Sequence, residues 1–221
     1  MIVNEPAVVL SRRNLGEADR LCTLYTANLG KLTVRFVGVN KPGRKMKALS
    51  EPMMWAEYRL YTSPRTDIGK AVGGAIISSF PDLRDDLAGL VAGLGCCERL
   101  DALTPAHAPS EEKYHLICSA LAAIETKLSP WVPVAFSLHL LELVGYGLRD
   151  REMPAEDRAL WIRLHETAVD ALAAVPFRAD AAERFASIAD DQIEGILGRA
   201  LKSRDYLKKV ALPNEPAKAH A

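Results

Sequence analysis

The chain has 221 residues, 49% apolar and 25% charged, with 28 basic side chains against 28 acidic ones. That composition supports a substantial core and excludes global disorder, and no apolar run approaches the roughly 18 residues a membrane helix needs. The neutral total is unevenly spread: residues 1–70 carry 12 Lys and Arg against 6 Asp and Glu, and residues 71–221 carry 16 against 22. A basic front third joined to an acidic remainder points to nucleic-acid contact.

The opening MIVNEPAVVLSRR lacks a basic stretch ahead of a long apolar run, so no signal peptide is read there. Residues 6 to about 77 read as strands. Ala7–Leu10 and Leu21–Thr26 are short and rich in strand formers, and Asn28-Leu29-Gly30 is a hairpin turn into a strand over Lys31–Val39. Asn40 and Pro42-Gly43 end that strand. Met54, Ala56, Tyr58 and Leu60 alternate with Trp55, Glu57, Arg59 and Tyr61 on a two-faced strand. Lys70–Ser78 closes the series, with a bend or bulge at Gly73-Gly74. Five strands in so short a segment suit a small closed barrel, of which the OB-fold is the common oligonucleotide binder.

Past Pro81 the period becomes helical. Asp82 is a candidate N-cap for a first helix carrying Leu83, Leu87, Leu90, Leu94 and Leu100 inward. Ser110 caps a second, with Tyr114, Ile117, Leu121, Ile124 and Leu128 on its inner stripe. A third, from about Pro130 to Tyr146, is apolar nearly all round and should lie at the centre. Leu148–Glu156 is a loop; helices resume through Leu160, Leu164 and Leu172, then Phe185, Ile188, Ile193 and Ile196. The fold class is α+β: an N-terminal five-stranded OB-fold barrel over residues 1–80, an α-helical domain over 81–210, and a tail over 211–221.

The candidate binding stretch is Gly30 to Ser50, which holds Lys31, Arg35, Lys41, Arg44, Lys45 and Lys47 without one carboxylate. A strand delivering an unneutralised basic loop suits a phosphate backbone, although a solvated lysine-rich loop has the same pattern. Arg12, Arg13 and Arg20 are second candidates. Lys202 and Arg204, in a C-terminal basic cluster, are candidates for DNA or a partner. Among the aromatics, Phe36 and Tyr58 follow the inward alternation, leaving Trp55 and Tyr61 as candidates for stacking on bases.

Catalytic motifs are not found. There is no P-loop, no GxGxxG after a strand and no GxSxG, and Gly69–Gly74 lacks the phosphate-loop order. Cys22, Cys96, Cys97 and Cys118 form no CxxC pair, so they read as buried free thiols in a reducing cytosol rather than zinc ligands. Glu112 with His115, and His139 with Glu142, each sit i,i+3 on a helix, but the second pair is reversed relative to a di-iron bundle. No catalytic residue, metal or cofactor is therefore assigned.

In order and spacing, these features resemble the RecO family of bacterial recombination mediators. An apolar strand, Arg12 or Arg13, then Gly16-Glu17-Ala18-Asp19-Arg20-Leu21, Thr26, Gly30-Lys31 and the basic loop carry the opening. Glu51-Pro52, Phe80-Pro81-Asp82-Leu83, Leu140-Leu141-Glu142-Leu143-Val144-Gly145-Tyr146-Gly147 and Leu201-Lys202-Ser203-Arg204 continue it. The zinc CxxC that many such proteins carry is missing from Gly147–Pro154, which should hold by packing alone, and 149–190 matches the pattern poorly. The resemblance implies a non-catalytic protein of the cytoplasm and nucleoid that binds single- and double-stranded DNA and anneals complementary strands. With RecR it would help load RecA onto DNA coated by single-strand-binding protein, recruited through that protein's C-terminal tail. A structural or RNA-associated OB protein with a helical docking domain is the alternative, and a metal-dependent helical enzyme the third reading.

Overall fold

A computed structural model describes residues 1–40, 46–63 and 66–204. Five strands close into a barrel: β1 (Ile2–Leu15), β2 (Asp19–Thr26), β3 (Gly30–Phe36), β4 (Trp55–Ser63) and β5 (Thr66–Ser78), in the order β1-β2-β3-β5-β4. All neighbours are antiparallel except β3 and β5, which run parallel with Arg35 beside Lys70. This is an OB-fold barrel. Period-2 alternation fills it: Val34, Phe36, Ala56, Tyr58 and Leu60 point inward at 0% exposure, and Phe36 meets Tyr58 edge to face at 6.1 Å. β3 ends at Phe36, three residues before the end expected from sequence. The ladder between β4 and β5 shifts register at Arg59/Leu60, opposite Ala71 and Gly73, so a bulge falls beside the expected glycine pair.

A short helix, α1 (Met46–Leu49), is inserted in the barrel between β3 and β4; the helical half then runs α2 (Pro81–Asp85), α3 (Leu87–Leu103), α4 (Glu111–Glu125), α5 (Val132–Leu143), α6 (Ala155–Glu166), a 3-10 turn at Val169–Ala174, and α7 (Ala179–Leu197). Ser110 caps α4 as expected, accepting from the Lys113 amide at 3.3 Å. α5 is central, with Val132, Ala135, Phe136, Leu138, Leu140 and Leu141 all at 0% exposure.

The first expected helix is two. Asp86 adopts an extended backbone (φ −103°, ψ 120°) and its carboxylate accepts from the Gly89 amide at 3.0 Å, ending α2 and capping α3. Asp82 is not the cap; its amide and that of Leu83 are taken by Glu125 at 3.3 and 2.7 Å. The break resets the helical phase, so Leu87 and Leu94 face outward and Val91, Cys96 and Cys97 take the core.

Barrel and helices share one seam. Val8, Leu10 and Tyr25, on the outside of β1 and β2, belong to the same buried cluster as α3, α4 and α5. Trp55 Nε1 donates to Tyr114 Oη at 2.9 Å, and Trp55 stacks on Phe80. All four cysteines are free and buried. The Gly147–Pro154 loop is pinned by buried Leu148, whose carbonyl accepts from Trp161 Nε1 at 3.1 Å.

Candidate nucleic-acid interface

The strand directions gather Arg12 and Arg13 at the end of β1, Arg20 at the start of β2, Arg35 near the end of β3, and Lys47 on α1 around one end of the barrel. Lys41, Arg44 and Lys45 lie outside the described residues. The carboxylates missing from Gly30–Ser50 arrive from its flanks. Asp19 accepts two bonds from Arg35, at 2.8 and 2.6 Å, and one from the Gly38 amide at 2.7 Å. Glu51 pairs with Arg12 at 3.2 Å and with Arg20 at 2.8 Å.

Arg20 is 5% exposed and also bonds Asn40 and Ser50, so it is a structural cation that ties β2 to the segment after α1. Lys31 departs further from the expected patch. Its ammonium reaches across the seam to Asp101 of α3, bonding the main-chain carbonyl at 2.5 Å and the carboxylate at 3.3 Å, and its side chain is 17% exposed. Arg35, paired with Asp19, still leaves half its side chain in solvent. Arg13 and Lys47 are exposed, and among the described residues neither makes an ion pair.

Two cations escape a reading of residues 30–50. Lys70 is exposed on β5 directly beside Arg35, and Arg59 is exposed on β4. Tyr61, two residues from Arg59, lies opposite Lys70 and is 47% exposed. The alternation of β4 put Arg59 and Tyr61 outward in the sequence. What it could not show is the parallel pairing of β3 with β5, which sets Lys70 in the same row. Trp55 is unavailable for stacking because the helices cover its end of β4.

In the helical half, a groove of about 980 Å³ lies between β1, α3 and the segment after α7. Leu10, Leu90, Val91 and Leu94 line it, with Arg199 and Lys202 at its edge. Burial pushes the carboxyl of Glu98, also in this wall, up, but bonds from the Ser203 and Lys202 amides outweigh that and hold it below the ordinary carboxylate range. Arg204 is tied to Asp191 and Glu194 at 2.7 and 2.8 Å. A second cavity, of about 370 Å³, brings together Glu112, His115, His139 and Glu142, with His165 added. His139 bonds the Leu164 carbonyl at 3.0 Å and His165 the Trp161 carbonyl at 2.9 Å. Among the described residues no group of three or more His, Cys, Asp or Glu is placed to hold a metal ion.

A five-stranded barrel with parallel β3–β5 pairing, a cationic end and a docked helical bundle defines an OB-fold protein with a helical companion. The family model for the N-terminal part of recombination protein O matches residues 1–80, and that for its C-terminal part matches residues 84–153. The chain belongs to the RecO family. It is 31% identical to DNA repair protein RecO of Desulfitobacterium hafniense over 67% of this chain and 54% of that one. It is 28% identical to DNA repair protein RecO of Myxococcus xanthus over 95% of this chain and 98% of that one. The chain thus spans about half the length of the Desulfitobacterium relative and nearly all of the Myxococcus one. Among the described residues no helix is long and apolar enough to cross a membrane.

Proposed function

We propose that the chain is a non-catalytic recombination mediator that binds single- and double-stranded DNA and anneals complementary strands. With RecR it would help load RecA onto DNA coated by single-strand-binding protein. The observation carrying this reading is the set of exposed cations on the barrel, Arg13, Lys47, Arg59 and Lys70, which make no ion pair among the described residues. Annealing brings two mutually repelling backbones together, and such a surface lowers that repulsion without reading sequence. The partly neutralised Arg12 and Arg35 add positive potential at the rim, and the proposed contact extends to Lys41, Arg44 and Lys45.

The groove bounded by Leu90, Leu94, Arg199 and Lys202 is the proposed seat of the single-strand-binding protein's tail, which carries apolar side chains and a carboxylate. Replacing Lys41, Arg44, Lys45 and Lys47 with Ala should shallow the slope of log K against log salt by up to about 3 for single strands. An unchanged slope removes this loop as the phosphate contact. A fluorescent tail peptide should bind the intact chain and lose affinity on Leu94→Glu.

A further inference from the structure

The wall of the barrel left to solvent is a different one from the wall an OB barrel usually offers. Strands 2 and 3 commonly form the ligand face. Here seven of the eight residues of β2 are buried: Cys22 and Leu24 fill the barrel, Tyr25 faces the helices, and Arg20 is tied to Asn40, Ser50 and Glu51. The outer side of β1 is likewise covered at Val8 and Leu10. The remaining wall runs β3–β5–β4, and it is built unlike an inert surface.

Register sets Arg35, Lys70 and Tyr61 in one transverse row, each about 4.8 Å from the next strand's member. Arg59 stands two residues along β4 from Tyr61 on the same face. Ile68 and Val72 flank Lys70 on β5, at 45% and 42% exposure. An exposed ring set between two unpaired cations and bordered by aliphatic side chains is a stacking platform with phosphate contacts on either side. Acidic groups bound it: Glu57 lies two residues beyond Arg59 on β4, and Asp19 holds Arg35 at the β3 side. Asp67 is turned toward the mouth of the barrel, where it lines a cavity with Leu32 and Val34.

We infer that this wall is a single-strand-selective nucleic-acid site, with Tyr61 stacking on an unpaired base while Arg59 and Lys70 hold the flanking phosphates. The inference rests on the DNA-binding reading above and deepens it. In a duplex both faces of every internal base are already stacked, so the ring has nothing to take. Only the two cations act on duplex, and they act alike on any backbone. Tyr61 therefore sets the preference between strand forms, and the cations set overall affinity.

The test uses the full chain, a labelled single strand of about 16 nucleotides, the upper site size of one such barrel, an abasic strand of equal length, and a duplex. Tyr61→Ala should weaken binding to the single strand by roughly 5- to 150-fold. It should leave the duplex and the abasic strand within about two-fold, since neither offers a free base face. Tyr61→Phe keeps the ring and should bind as the unmodified chain does. Lys70→Ala should weaken all three ligands together. Equal losses on single strand and duplex for Tyr61→Ala, or no loss on either, overturn the inference. If that happens while the basic-loop variant still changes the salt slope, the DNA-binding reading stands. If the unmodified chain binds none of the three ligands, both fall.

Discussion

At φ +70°, with the Ala108 carbonyl carbon 2.5 Å from where a Cβ would stand, Gly30 is the residue through which the barrel meets the segment between α3 and α4. The next residue continues the joint, its carbonyl accepting from the His107 amide at 3.0 Å while its ammonium holds Asp101. Gly30→Ala combines a left-handed backbone with a clash against main chain, and should lower unfolding free energy by at least about 2 kcal/mol in a urea titration. Lys31→Met should cost about 1 kcal/mol and leave the salt slope of the proposed DNA binding unchanged. A shallower slope would return Lys31 to the phosphate contacts. The strand alternation of Leu32, Val34 and Phe36 does put Lys31 and Arg35 outward. Whether outward means solvent or seam depended on Asp101, seventy positions away, and no local pattern carries that. Arg99 and Asp190 raise the stakes further, being 8% and 7% exposed and 2.7 Å apart. Arg99→Met leaves a buried carboxylate alone and should destabilise by about 3–5 kcal/mol, with much of the loss restored by adding Asp190→Leu.

Among the elements, α4 and α7 were legible because their apolar residues recur at helical spacing, with Ser110 as a side-chain cap for α4, and α5 because it is apolar nearly all round. The break between α2 and α3 was not, because the run of leucines continues across Asp86 in nearly the same phase. A single cap bond and an extended residue outweighed periodicity there. The packing of α5 on α6 carries a pH dependence. Burial pulls the imidazoles of His139 and His165 below their ordinary value, partly offset by their bonds to Leu164 and Trp161. Glu142 favours protonation of both rings, Arg149 opposes it at His165, Asp150 favours it there, and His165 opposes it at His139. As pH falls below about 6.5, the unfolded chain takes up protons first. The stability these rings contribute is present above that value and is lost as pH drops through their lower folded-state values. The melting temperature should therefore fall with acidification in this window, and His139→Gln should flatten the fall.

For the molecule as a whole, five short strands followed by a helical run already specified a barrel and a bundle. They did not specify which wall of the barrel the bundle would cover. That choice follows from side chains such as Val8, Leu10 and Tyr25, which read equally well as barrel filling until closure of β1 on β4 fixes their direction. Because those three pack with α3 to α5, chemical denaturation should show one transition, with tryptophan fluorescence and far-ultraviolet circular dichroism coinciding. Two separate transitions would show the halves to be independent. The family models divide the chain near residue 80, but a fragment cut there would lose its lid. Val8, Leu10 and Tyr25 would become a bare oily wall on an otherwise complete cylinder, and such a piece should self-associate or need detergent to stay dispersed. Anyone wishing to study the barrel on its own would first have to repaint those three positions.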